Sequence, residues 1–138
     1  MALICDTGPL YSALDRDDPD HPACAALLVE RAADLLVPAP VLVEVAWLSD
    51  RRMGRRAFSS VLADIAAGAL GVVDLVAVDY GRARELVERY ADLGLGFVDA
   101  AVVAIAERLG ERTIATLDRR HFAVVRPRHV EAFVLVPS

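Results

Sequence analysis

The sequence predicts a three-layer α/β/α fold around a central, mostly parallel sheet of four to five strands, and two observations lead there. Short apolar runs alternate with helical patterns along the whole chain, the rhythm of a parallel sheet covered by helices. The first run, Ala2-Leu3-Ile4-Cys5, is apolar at every position and is followed at once by Asp6 and the Gly8-Pro9 pair. A continuous apolar strand is one buried on both faces, and Pro9 suits the first turn of a helix. Asp6 is therefore expected at the carboxyl end of a central strand, where open α/β sheets bind ligands.

The remaining elements follow in order. A short helix is completed by Leu10 to Leu14, and Asp15 to Asp20 makes an acidic loop that lacks the spacing and terminal Glu of a calcium loop. Pro22 opens a helix with Ala25, Leu28, Val29 and Ala32 on its apolar side. Leu35-Leu36-Val37 is a strand, broken by Pro38-Ala39-Pro40. A helical pattern from Val41 to about Arg52 carries Val41, Val45 and Leu48 on one face and holds Glu44 among apolar neighbours. The next helix runs to about Ala67 and stops at Gly68. Val72 to Val78 contains a strand, and Asp79 is expected to cap a helix through Tyr90. After the loop Asp92 to Gly96, an apolar helix spans Phe97 to Leu109 with Asp99 in its first turn, and Gly110 closes it. Thr113 to Leu117 and Phe133 to Val136 supply the last strands, with Asp118 at the end of the former. No linker interrupts the pattern, so residues 1–138 are expected to form one domain.

Composition narrows the function. Hydrophobic residues make up 56% of the 138 and the mean hydropathy is +0.41. Charges interrupt every apolar run before the roughly 18 residues a membrane span requires. No basic segment precedes the first apolar run, so a cytoplasmic chain is expected. Cys5 and Cys24 share no metal-ligand spacing with a histidine and read as buried thiols. All 15 basic residues are arginine. Without lysine there is no P-loop, no Schiff-base chemistry and no lysine-dependent phosphoacceptor site. Arg51, Arg52, Arg55 and Arg56 form the one dense basic patch in a chain of net charge −5. It reads either as a solvated helix junction or as a phosphate contact.

Asp6, Glu44, Asp99 and Asp118 each stand at or near the end of a strand or the start of a helix. Singly, each has a structural explanation as a cap, a dipole partner or a marginal polar residue. Parallel strands deliver their carboxyl ends to one sheet edge, however, so the four can converge there. Gathered carboxylates repel and resist burial unless a cation sits among them. Hard oxygen ligands suit Mg²⁺ or Mn²⁺, ions that activate water and stabilise the leaving oxygen of a phosphodiester. His21, His121 and His129 lack zinc-site spacing, and His121 stands close enough to Asp118 to support it.

Ile4-Cys5-Asp6-Thr7, Val43-Glu44-Val45, Phe97-Val98-Asp99-Ala100 and Thr116-Leu117-Asp118-Arg119-Arg120-His121-Phe122 resemble the signature segments of PIN-domain proteins. They occur in order over nearly the whole chain, whose size is similar to that of the toxin ribonucleases of VapBC-type toxin–antitoxin pairs. The resemblance implies a metal-dependent endoribonuclease that cuts RNA by in-line attack of water, a small cognate antitoxin and a homodimer. It implies that Asp6 and Asp99 hold the principal ion, that Glu44 and Asp118 complete the site, and that Thr7 and Thr116 support the carboxylates. Arg51, Arg52, Arg55, Arg56, Arg119 and Arg120 are then candidates for RNA contact. Trp47, Leu48, Met53 and Phe58 are candidates for a groove receiving an antitoxin helix, with core packing the role expected for at least half of them. A non-catalytic binding partner, or a phosphohydrolase acting on small esters, are the competing readings.

Overall fold

The computed structural model describes all residues, Met1–Ser138. Five strands form one sheet in the order β3-β2-β1-β4-β5, every neighbouring pair parallel. They are β1 (Leu3–Cys5), β2 (Leu35–Pro38), β3 (Gly71–Val73), β4 (Thr113–Ala115) and β5 (Val134–Val136). The helices are α1 (Thr7–Leu14), α2 (His21–Glu30), α3 (Ala39–Met53), α4 (Arg55–Ala66), α5 (Ala77–Arg89), α6 (Phe97–Leu109) and α7 (Arg119–Val124). The predicted three-layer fold is what forms, with α1 packed on α2 and α3, α3 on α4, and α5 on α6.

Burial explains the centre. Leu3, Ile4 and Cys5 are completely buried, as are Ile114 and Ala115 in β4, because helices cover both faces of the two middle strands. Helix α6 has no polar face to lose: Ala100 through Ala106 are all buried, which is why its sequence reads as apolar all round. Gly54, at φ +84°, lets the chain leave α3 and enter α4 without a spacer.

The topology creates one special edge. From β1 the chain moves outward to β2 and β3, then crosses back past β1 to β4 and β5. The direction reverses between β1 and β4, the switch point at which open α/β sheets form a crevice. Gly8 sits in that crevice against Leu117, whose side chain a Cβ on residue 8 would meet at 3.2 Å.

Several expectations need correction. Strand β3 ends at Val73 and β4 at Ala115, the latter because the Thr116 hydroxyl turns back to accept the Asp118 N–H at 2.9 Å. Asp79 is the third residue of α5, not its cap; its carboxylate accepts the Val76 N–H at 2.9 Å. On α2, Cys24 is the buried residue, whereas Val29 is 79% exposed; Ala32 lies beyond the helix, which ends at Glu30, and is also exposed. A helix apolar on nearly every side carries no period from which to choose the buried face. Helix α7 was not anticipated.

Ile4 at the sheet centre gives a direct test of the packing. Ile4→Ala should cost about 2–5 kcal/mol in denaturant unfolding; a loss below about 1 kcal/mol would mean β1 is not the centre of the core.

Candidate active site

Asp6 is the first residue after β1, and its backbone N–H continues the ladder to Ala115 O at 2.9 Å. That rung aims its side chain into the crevice, where it is only 5% exposed. The Thr116 hydroxyl donates to Asp6 Oδ2 at 2.8 Å and accepts the Asp118 N–H at 2.9 Å. One hydroxyl thus locks two acids that lie 112 positions apart in sequence. Across the crevice, Thr7 Oγ1 donates to Glu44 Oε1 at 2.6 Å, joining α1 to α3. Asp99 stands in the first turn of α6, where the helix N-terminus favours negative charge. Asp118 caps α7 by accepting the His121 N–H at 3.1 Å. The open cavity so formed is about 450 Å³ and is lined by Asp6, Thr7, Gly8, Glu44, Asp99, Leu117 and Asp118.

The electrostatics are those of a crowded anionic site. Burial pushes the Asp6 carboxyl up to about 6; the Thr7 N–H and Thr116 hydroxyl oppose this, and the charges of Asp99 and Glu44 add to it. Asp99 is also raised, by burial first, with His121 opposing and Asp118 and Glu44 adding. Neutral donors alone hold Asp6, so the site carries more negative charge than its own groups compensate.

His121 enters the site from α7. Its Nδ1 lies 2.5 Å from Asp118 Oδ2 and 3.5 Å from Asp99 Oδ2, and its Nε2 lies 3.1 Å from Leu93 O. Burial works against the imidazolium, but the hydrogen bond and charge of Asp118, with Leu93 O and Asp99, outweigh it and raise its pKa. Ligand atoms of Asp99, Asp118 and His121 all lie within 4.8 Å of one another. The donor set of carboxylate oxygens with one imidazole nitrogen fits a small divalent cation. The Asp118-x-x-His121 spacing, an N-cap acid one turn before a histidine, is the sequence signal for α7 and for this contact.

The other expected residues fall elsewhere. Arg51, Arg52, Arg55 and Arg56 are exposed at the α3–α4 junction, with Arg52 about 12 Å along the helix axis from Glu44 at 1.5 Å per residue. Arg51 lies over the Trp47 ring at 4.5 Å, and Arg52 over the Tyr11 ring at 5.4 Å. Arg119 donates to Pro137 O at 2.6 Å, so it anchors the C-terminal segment; Arg120 is exposed. Phe58 is 9% exposed and belongs to the core, so it does not line an open groove. Leu48 and Met53 are half-buried and Trp47 is 58% exposed. An apolar groove of about 270 Å³ opens instead beside α2 and α4, lined by residues including Leu14, Leu28, Val29, Val61 and Leu70.

An all-parallel sheet with four acids gathered at its switch point defines the class, an acid-centred α/β protein of the PIN type. The PIN domain family matches residues 3–126, and the chain belongs to it. It is 38% identical over 136 residues to Ribonuclease VapC26 of Mycobacterium tuberculosis, covering 98% of this chain and 100% of that protein. Among solved structures, VapC20 of M. tuberculosis, a sarcin–ricin loop cleaving toxin, superposes with a TM-score of 0.76 at 23% identity, covering 82% of this chain and 87% of that one. VapBC2 of Rickettsia felis, bound to a DNA fragment from its promoter, gives 0.67 at 18% identity over 99% and 98%. A toxin–antitoxin complex from Klebsiella pneumoniae gives 0.66 at 16% over 99% and 97%. These structural likenesses concern the fold.

No membrane-length apolar helix is present.

The Asp6 carboxyl supplies a pH test in chelator. Its folded value of about 6 exceeds its ordinary 3.8, so its contribution to stability is full below about pH 4 and is lost as pH rises through 6. Asp6→Asn should therefore gain on the parent by about 2–3 kcal/mol between pH 4 and pH 8, read by denaturant titration. A pH-independent difference would show that Asp6 is not strained by its surroundings.

Proposed function

We propose that this chain is an endoribonuclease that depends on Mg²⁺ or Mn²⁺ and serves as the toxin of a toxin–antitoxin pair, its 138 residues acting as one nuclease domain. The observation that carries this reading is the meeting of Asp6, Glu44, Asp99 and Asp118 around a single crevice. Family membership and the match to Ribonuclease VapC26 over essentially the full length of both chains support it.

Asp6, Asp99, Asp118 and Glu44 would hold the ion. When bound, the ion supplies positive charge that lowers the pKa of a coordinated water and offsets charge on a phosphodiester in transit to cleavage. The chain's own residues do the rest. Thr116 fixes one oxygen of Asp6 and thereby orients the other. Thr7 fixes Glu44 Oε1 and thereby orients Oε2. Arg120, exposed two residues after Asp118, is our candidate for pairing with a phosphate of the RNA, and the exposed Arg51, Arg52, Arg55 and Arg56 are further candidates. The cavity is open, which suits a strand laid across it better than an enclosed small ester.

The partner expected for such a toxin is a small antitoxin. The apolar groove beside α2 and α4 suits one face of an amphipathic helix. For a homodimer, Val43, Trp47, Tyr80 and Phe97 offer a half-exposed apolar surface on α3, α5 and α6.

The test is cleavage of structured RNA with Mg²⁺ or Mn²⁺. Activity should vanish with chelator, and Asp99→Asn should lower kcat by about 100-fold or more while the melting temperature in chelator does not fall. Cleavage that survives chelation, or comparable turnover of a generic phosphomonoester, would overturn the proposal.

A further inference from the structure

We infer that His121 is itself a ligand of the divalent ion, through Nδ1, and that this nitrogen biases the site toward Mn²⁺ over Mg²⁺. The inference deepens the proposed function and rests on the acid cluster being a metal site.

Three observations on this chain carry it. The first is the partner of the other ring nitrogen. Nε2 lies 3.1 Å from Leu93 O, and a carbonyl can only accept, so Nε2 carries the hydrogen. A metal-binding histidine commonly gives its remote N–H to a backbone carbonyl in this manner, which fixes both tautomer and ring orientation. The second is what the near nitrogen faces. Nδ1 faces Asp118 Oδ2 and Asp99 Oδ2, at 2.5 and 3.5 Å, and shares a hydrogen bond with the former. An ion that displaces the proton of that hydrogen bond would meet the nitrogen and both carboxylates together, since metal ligands bind deprotonated. The third is reach. Donors on one six-coordinate ion with bonds of about 2.1 Å are separated by about 3.0–4.2 Å. Asp99, Asp118 and His121 offer atoms within 4.8 Å of one another, so small side-chain adjustments bring all three onto one ion.

His21 and His129 do not compete for this role. His21 Nδ1 is 2.7 Å from Ser12 O and His129 Nε2 is 2.6 Å from Glu111 O, both away from the acids. A nitrogen signal from bound metal would therefore report His121. The selectivity follows from ligand type. Mg²⁺ takes oxygen donors and retains water, whereas imidazole belongs with transition-metal ions.

The experiment uses the purified full chain with Mn²⁺ and Mg²⁺ as the probes. Pulsed paramagnetic resonance of the Mn²⁺ complex should show coupling to an imidazole nitrogen, absent in His121→Ala. By calorimetry, His121→Ala should weaken Mn²⁺ by about tenfold or more and Mg²⁺ by clearly less. Bound Mn²⁺ without nitrogen coupling, or equal losses for both ions, would overturn the inference and leave His121 as a support for Asp118. Should His121→Ala fail to fold, the nitrogen coupling in the parent decides alone. If the parent binds neither ion, the metal-site reading itself fails, an outcome separate from the others.

Discussion

Mutual repulsion among carboxylates is the constraint on which the rest of this structure turns. Left to themselves in a fluctuating chain, Asp6, Glu44, Asp99 and Asp118 would separate into water. They are held together because each is attached to an element whose position is set by something stronger. Asp6 and Asp118 follow neighbouring strands whose backbone ladder and completely buried side chains fix β1 against β4. Asp99 rides on α6, seven consecutive residues of which are buried. Burial of that much apolar surface outweighs the cost of bringing a few like charges together. The crevice is therefore preorganised: the core bears the cost of assembling the acids.

The two threonines show how neutral groups manage such a site. A lysine or arginine here would quench the negative charge and leave nothing for a metal to do. A hydroxyl orients a carboxylate without neutralising it. Thr116 both donates to Asp6 and accepts from the Asp118 backbone, so it sets two side chains with one group. Thr7 does the same for Glu44 across the gap between α1 and α3. Replacing either by valine would keep the volume and remove the orientation.

Much of this was legible in the sequence, and the reasons differ by element. The uninterrupted run Leu3-Ile4-Cys5 and the sharp stop at Gly110 are strong local signals, and both elements form where they were expected. Three of the acids could be placed because a strand end or first helical turn leaves little choice of position; Glu44 followed from the helical pattern that begins at Val41. What failed were readings that depend on three-dimensional neighbours. The buried face of α2 is chosen by packing against α1, which periodicity in an almost wholly apolar helix does not reveal. Sequence left Phe58 between groove and core, and its burial puts it in the core. The contact between His121 and Asp99 joins α7 to α6 across 22 positions, and only the sheet topology brings it about. Short α7 has too few residues for a periodic signal, and its one local mark is the acid that caps it.

A comparison inside the molecule sharpens the reading of the acid edge. Asp6 and Asp79 are the two buried carboxylates, 5% and 2% exposed. Asp79 receives the Arg108 guanidinium at 3.0 Å together with the Val76 N–H. The nearly buried Glu107 is likewise held by Arg82 at 2.7 Å. This chain has 15 arginines and sets them against buried acids where the role is structural. Asp6 has none, only a hydroxyl and a backbone N–H, and nearby Arg119 turns to the C-terminal carbonyls instead. A protein that neutralises its other buried carboxylates from within, yet leaves this one open to a shared cavity with three more acids, has the uncompensated charge that the proposed metal site requires.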